Sequence, residues 1–183
     1  MNAAERALEA YLVASARLGD RRALSRLVRL RGPRLFAHAT RLLGEREGAR
    51  DIVQEAWVEI LRSLPGLRDD AAFLPWALRI VSRRVAREIV RRQRRRKLAD
   101  GVAAEADTVT AEAGPARADA AKVRAAIATL PREQAATVAL FYLEDLGVAE
   151  VATALDVPIG TVKTRLMHAR RKLYAQLKGM DDE

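Results

Sequence analysis

The chain of 183 residues contains no cysteine, which excludes a disulfide framework, a cysteine-ligated zinc site and a thiol nucleophile. Its two histidines, His38 and His168, lie 130 positions apart and outside any metal-ligand spacing, so no metal site is expected. There is no Gly-rich phosphate loop and no nucleophile-base pairing, so neither a cofactor nor an enzyme activity is expected. No apolar run approaches the ~20 residues of a membrane span. The opening residues Met1–Glu5 lack the basic-then-apolar order of a secretory signal, and the expectation is a soluble intracellular chain. Aromatics are scarce (three Phe, two Trp, three Tyr), and strand-like alternation is missing. What dominates is Ala, Leu and Arg, a mixture that favours helix over sheet.

There is a surplus of positive charge: 33 Lys+Arg stand against 24 Asp+Glu, a net of +9. A basic balance of this size suits an acidic partner such as nucleic acid, or it reflects a genome that writes Arg freely. Position separates these readings. Residues 1–98 carry a net +12, residues 99–121 a net −4, and residues 122–183 a net +1. The middle segment has no Leu, Ile, Phe, Tyr or Trp, so it cannot bury enough apolar surface to offset the entropy of ordering. The expected architecture is all-α: a helical domain over 1–98, an acidic flexible linker over 99–121, and a second helical domain over 122–183.

Helical periodicity marks the elements. Leu8, Tyr11, Leu12 and Leu18 open a helix that stops at Gly19-Asp20. A second begins at Ala23, with Gly32-Pro33 read as a break or kink, and reaches Gly44. Ile52, Val53, Ala56, Trp57, Ile60 and Leu61 define a third, ended by Pro65-Gly66. A long helix starts near Phe73–Trp76 and runs into QRRRKL. His38 is expected half-buried. Trp57 and Trp76 suit core packing, with base stacking an alternative for Trp76.

Three patterns carry chemistry. Between Arg79 and Lys97 there are ten basic residues and one acid, Glu88, with Arg79, Arg83, Arg87 and Arg91 at i+4 spacing and Arg84, Arg92 and Arg95 widening the row. Like charges at that spacing repel by a few tenths of a kcal/mol per pair, and a polyanion would relieve them. Asp51, Glu55 and Glu59 form an acidic stripe beside Gln54, read either as a protein-docking surface or as ordinary amphipathicity. Finally, Val148–Leu155, the turn Asp156-Val157-Pro158 and the stretch from Gly160 to Leu177 have helix-turn-helix spacing. Ala152 is small enough for a close helix crossing, and Asp156 tolerates a positive φ. Val162, Leu166, Ala169, Leu173 and Leu177 face inward in this reading. Thr161, Lys163, Thr164, Arg165, His168 and Arg171 are left for base edges and phosphates.

These residues together resemble a known family. Asp51-Ile52-Val53-Gln54-Glu55, Pro75-Trp76-Ala77-Leu78-Arg79-Ile80 with its Arg-rich tail, Leu130-Pro131-Arg132-Glu133, and Val157-Pro158-Ile159-Gly160-Thr161-Val162-Lys163-Thr164-Arg165-Leu166 are similar to regions 2 and 4 of bacterial RNA polymerase sigma factors of the sigma-70 family, in its extracytoplasmic-function (ECF) group. The resemblance implies a promoter-specificity subunit, cytoplasmic and nucleoid-associated, that starts transcription in a stress response. Asp51, Gln54 and Glu55 would dock on the clamp helices of the polymerase β′ subunit, and Phe141 and Leu143 would meet the β flap. Asp70, Phe73, Trp76, Arg79, Arg83, Arg84, Arg87 and Arg91 would hold the −10 promoter DNA, with a base flipped from the stack. Thr161, Lys163, Thr164, Arg165, His168 and Arg171 would read the −35 element. The partners implied are core RNA polymerase, promoter DNA and an anti-sigma factor. Arg83, Arg87 and His168 depart from the family's usual residues. Two rival readings are a stand-alone helix-turn-helix regulator and an adaptor that only sequesters an anti-sigma factor.

Overall fold

In a computed structural model of the chain, residues 3–99 and 125–181 are described, with side chains for 4–95 and 125–176. Four helices build the first part: α1 (Ala3–Arg17), α2 (Arg21–Leu43), α3 (Arg46–Ser63) and α4 (Phe73–Ala99). The second part holds α5 (Arg132–Val138), α6 (Val148–Leu155) and α7 (Ile159–Asp181). Helix is the only extended regular structure among the described residues. Apart from Ala99, which ends α4, the expected linker 99–121 lies outside them.

Local chemistry sets the helix ends. Gly19 adopts φ 93°, and Asp20 then caps α2 by accepting from the backbone N–H of Arg22 (2.7 Å) and Ala23 (3.2 Å). Gly44, at φ 94°, closes the same helix in the left-handed conformation that glycine adopts without steric cost. Of the break or kink expected at Gly32-Pro33, the break does not occur: α2 runs through Pro33. Its stripe of Ala23, Leu27, Arg31, Leu35, Ala39 and Leu43 is buried on both sides of the proline. That burial offsets the lost backbone hydrogen bond.

Helix α1 also differs from expectation. Leu8, Tyr11 and Leu18 are exposed, and the buried residues are Glu9, Leu12 and Val13. The reason is an ion pair that periodicity in apolar residues does not register. Arg31 of α2 donates from Nε to the Glu9 carboxylate, and both side chains are 1% exposed. Burial raises the Glu9 carboxyl above its usual range, and the Arg31 guanidinium offsets this in part.

Helix α4 holds the two parts together. Phe73, Leu74, Ala77, Leu78, Val81 and Val85 are buried, and α4 is packed by α2 and α3 and also by α6. Helix α5 packs against α2, and Arg34 Nε of α2 lies 3.1 Å from Glu144 Oε2. Leu140, Leu146, Val151, Ala154 and Val162 belong to the same buried cluster as the α2–α4 residues.

A buried polar chain crosses this junction. Ser82 Oγ donates to the Ala154 carbonyl (2.7 Å) and lies 2.8 Å from His38 Nε2. The serine proton is committed to Ala154, so His38 Nε2 is the donor and Nδ1 carries the lone pair, without a partner. His38 is thus fully buried rather than half-buried. Burial first, and the nearby Arg41 charge second, push its pKa down to about 3. The folded chain keeps His38 neutral, whereas the unfolded chain protonates it below about pH 6.5. Between those values the unfolded state binds more protons, so stability falls as pH is lowered through that window. Chemical denaturation at pH 7, 6 and 5 will show wild type losing up to about 1.4 kcal/mol per pH unit more than His38→Gln. Parallel pH dependences in the two proteins would contradict the buried neutral imidazole.

Candidate nucleic-acid and polymerase interface

Helix α4 presents its arginines in three directions, and carboxylates meet most of them. Arg79 approaches Asp156 Oδ1 through Nε (2.9 Å) and Nη2 (2.8 Å), and Arg83 Nε donates to Asp156 Oδ2 (2.8 Å). Arg84 turns to α3, donating from Nε to Glu59 (2.8 Å) and from Nη1 to Glu55 (2.6 Å). Arg91 and Arg92 converge on Glu88, each donating from Nε at 2.7 Å, and Arg92 Nη1 also reaches Glu45 (2.6 Å). Hydrogen bonds from Arg92 and then Arg91 hold the Glu88 carboxyl below its usual range. Most of this row is therefore paired, chiefly by carboxylates of neighbouring elements. Arg87 is exposed and makes no ion pair among the described residues.

The acidic stripe occupies the exposed side of α3, opposite Ile52, Ala56 and Ile60. Asp51 and Gln54 are exposed with no hydrogen-bond partner among the described residues, while Glu55 is exposed and shared with Arg84. Asp51 and Glu55, but not Gln54, line a polar cleft between α3 and α4 with Arg84, Arg87 and Glu88.

The segment before α4 is tied down. Asp69 accepts from the Ala71 N–H (3.0 Å) and opens a 3-10 turn, Asp70–Ala72. Asp70 is bound by Arg17 Nη1 at 2.8 Å. Phe73 is 0% exposed, packed between Trp57 (ring centroids 6.5 Å) and Trp76 (5.9 Å). The expectation that Phe73 touches DNA is corrected: its ring is wholly used as a core contact beneath the half-buried Trp76.

The helix-turn-helix forms as spaced. Glu150 accepts from the Gly147 N–H (2.7 Å) at the start of α6, and Asp156 ends α6 at φ 57°, ψ 46°. Val162, Leu166 and Ala169 of α7 are buried and Leu173 is partly so, whereas the side chain of Leu177 lies outside the described set. Lys163, Thr164, His168 and Arg171 are exposed, and Thr161 is half-exposed. Arg165 is held by Glu133 of α5. Sequence reasoning missed Arg170, which donates to Tyr142 Oη (2.8 Å) and lies over that ring. It also missed the role of Asp156 on Arg79 and Arg83, since pairs 77 and 73 positions apart leave no periodic trace. Among the described residues no group of His, Asp and Glu could hold a metal ion, and no helix is long and apolar enough to cross a membrane.

Residues 27–96 match the family model of Sigma-70 region 2, and residues 120–173 match that of Sigma-70, region 4. The chain belongs to the sigma-70 family. It is 29% identical over 178 residues to the RNA polymerase sigma-H factor of Pseudomonas aeruginosa, covering 91% of this chain and 92% of that protein. It is 27% identical over 180 residues to the ECF RNA polymerase sigma-E factor of Escherichia coli, covering 92% and 94%. Among solved structures it is similar to CnrH in complex with the cytosolic domain of CnrY, with TM-score 0.62, 25% identity and coverage of 94% and 98%. The sigma factor RpoE of Bartonella quintana, solved with the anti-sigma factor NepR, shares the fold at TM-score 0.67 and 23% identity, covering 85% and 96%. Sigma factors are DNA-binding transcription initiation factors, and this chain is an ECF-type promoter-specificity subunit of RNA polymerase.

The Arg84 fork on Glu59 is the best-sheltered contact between the basic and acidic helices, with side chains 24% and 36% exposed. A double-mutant cycle of Arg84→Ala and Glu59→Ala, read by chemical denaturation, will give a coupling of about 0.5–1 kcal/mol. A coupling of zero would mean that the pair contributes nothing to holding α3 against α4.

Proposed function

We propose that α3, α4 and α7 divide the work of this sigma subunit among core binding, −10 binding and −35 reading, by binding alone and not as an enzyme. Asp51, Gln54 and Glu55 dock on the β′ clamp helices; the exposure of Asp51 and Gln54, without internal partners, supports this. Asp70, Trp76 and the arginines Arg79, Arg83, Arg84, Arg87 and Arg91 hold the −10 DNA, with the half-buried Trp76 offering a ring edge to an unstacked base. Thr161, Lys163, Thr164, Arg165, His168 and Arg171 read the −35 element from the start of α7. Leu143, 40% exposed beside the partly buried Phe141, meets the β flap. In this reading the domains span 1–98 and 122–183, with the acidic segment 99–121 threading the polymerase cleft. Its negative charge suits a path later taken by RNA.

Control by an anti-sigma factor belongs to this reading. CnrH, which is similar over most of this chain, is held in its solved structure by the cytosolic domain of CnrY. The protein acts in the bacterial cytoplasm, at the nucleoid.

The observation that carries the reading is the order of two family regions on one chain, each bringing its basic helix. Run-off transcription on genomic fragments with reconstituted holoenzyme tests it. Transcripts that start at shared −35 and −10 motifs are expected, and their absence from every promoter would overturn it. Lys163→Ala and Arg171→Ala each weaken −35 binding by about 1–3 kcal/mol where the residue touches a base, measured by competition between promoter fragments. Unchanged promoter use in both variants would remove these residues from the interface.

A further inference from the structure

Helix α2 carries seven arginines and no acid. Arg31 is met by Glu9, and Arg34 by Glu5 and Glu144. Arg21, Arg22, Arg26 and Arg29, in the first half of the helix, are exposed and make no ion pair among the described residues. Asp20, the carboxylate at this end, is used as a cap on the backbone N–H groups of Arg22 and Ala23. The contrast with α4, whose arginines are mostly met by carboxylates, is sharp: the unpaired guanidiniums gather on α2.

These arginines border apolar surface. Arg22, Arg26 and Arg29 recur at i, i+4 and i+7 and so share one face of α2. Arg26, Arg29 and Leu30 line a shallow groove together with Leu8 and Leu12 of α1. Leu12 is buried and Leu30 half-buried. On α1, Leu8 is 38% exposed, Tyr11 64% and Leu18 91%. Apolar side chains whose spacing predicts burial are thus left in water beside unpaired guanidiniums.

We propose that this α1–α2 face binds the surface of an anionic phospholipid bilayer, reversibly. The proposal does not depend on the assignment of α3, α4 and α7 to polymerase and promoter. A bilayer interface satisfies both halves of the patch: guanidiniums sit among the headgroup phosphates, while leucines and the tyrosine ring enter the boundary of the acyl layer. A nucleic-acid backbone would satisfy the arginines and leave the leucines wet. A protein partner seats its anchors in deep desolvated pockets. Here the apolar groups stand singly along α1, from Leu8 to Leu18, as a fluid interface accepts them. Each arginine close to an anionic leaflet is worth about fivefold in partition. A patch of this size gives weak, exchangeable attachment on the scale of one acyl chain and no permanent anchor.

Co-sedimentation of the full chain with vesicles tests this. At 50 mM NaCl the wild-type chain will bind vesicles of phosphatidylcholine with about 30% phosphatidylglycerol, and not vesicles of phosphatidylcholine alone. Raising NaCl to 500 mM will release most of it, because the attraction to the headgroups is screened. Arg22→Ala/Arg26→Ala/Arg29→Ala will lower the partition about a hundredfold, the product of three such factors. Leu8→Ser/Tyr11→Ser, which leaves the charge untouched, will lower it about tenfold. Arg50→Ala/Arg62→Ala/Arg68→Ala removes the same charge from exposed positions elsewhere and will bind within about twofold of wild type. Circular dichroism will show the helix content retained in all three variants, whose altered side chains are exposed.

Failure of the wild-type chain to bind the mixed vesicles would overturn the proposal. So would equal losses in the two arginine triples, which would mean that net charge and not this face is responsible. Unchanged binding by Leu8→Ser/Tyr11→Ser would remove the apolar half of the site and with it the case for a bilayer. If a fluorescent DNA single strand displaces the wild-type chain from vesicles, and Arg22→Ala/Arg26→Ala/Arg29→Ala loses that strand as fully as it loses the vesicles, the face is a nucleic-acid site and the proposal fails.

Discussion

A helix with ten basic residues and one acid between Arg79 and Lys97 has to find anions, and most of this structure is arranged around where it finds them. On one side α3 lends Glu55 and Glu59 to Arg84. Within the helix, Glu88 gathers Arg91 and Arg92. At the start of the basic run, the turn of the helix-turn-helix supplies Asp156 to Arg79 and Arg83. The fold that results is a chain whose concentrated basic charge is partly occupied by its own carboxylates. Such contacts are individually worth about 0–1 kcal/mol and are sensitive to salt. They decide which surfaces meet more than how stably the chain folds.

The stronger attachments lie beneath them. The buried Glu9–Arg31 pair fixes α1 on α2, and removing either partner from such a pair is far more costly than breaking a surface contact. The His38–Ser82–Ala154 chain runs from α2 through α4 to α6, so an uncharged imidazole belongs to the junction. The apolar face of α6 adds Val151 and Ala154 to the same core. The junction thus combines an apolar and hydrogen-bonded floor with an ionic rim.

Much of this was legible in the sequence because it is local. The third helix, the long basic helix and the helix-turn-helix follow from apolar spacing and turn residues, and the positive φ of Asp156 follows from its place in the turn. Elsewhere the governing forces are non-local. Pro33 did not break α2 because tertiary burial on both sides outweighed a local preference. Phe73 stands beside residues proposed to touch DNA, yet two tryptophans enclose it. The burial of Glu9 depends on Arg31 of another helix, 22 positions away. The dual role of Asp156 needs residues over seventy positions apart, and pattern reading along one chain does not reach that far.

The central claim is that α4 exchanges internal carboxylates for DNA phosphates. The salt dependence of promoter binding by the reconstituted holoenzyme measures that exchange most directly. If Arg79 and Arg83 each hold a phosphate, the slope of log affinity against log salt will fall by about 1.4–1.8 in Arg79→Ala/Arg83→Ala, as two counterions fewer are released. An unchanged slope would contradict the account.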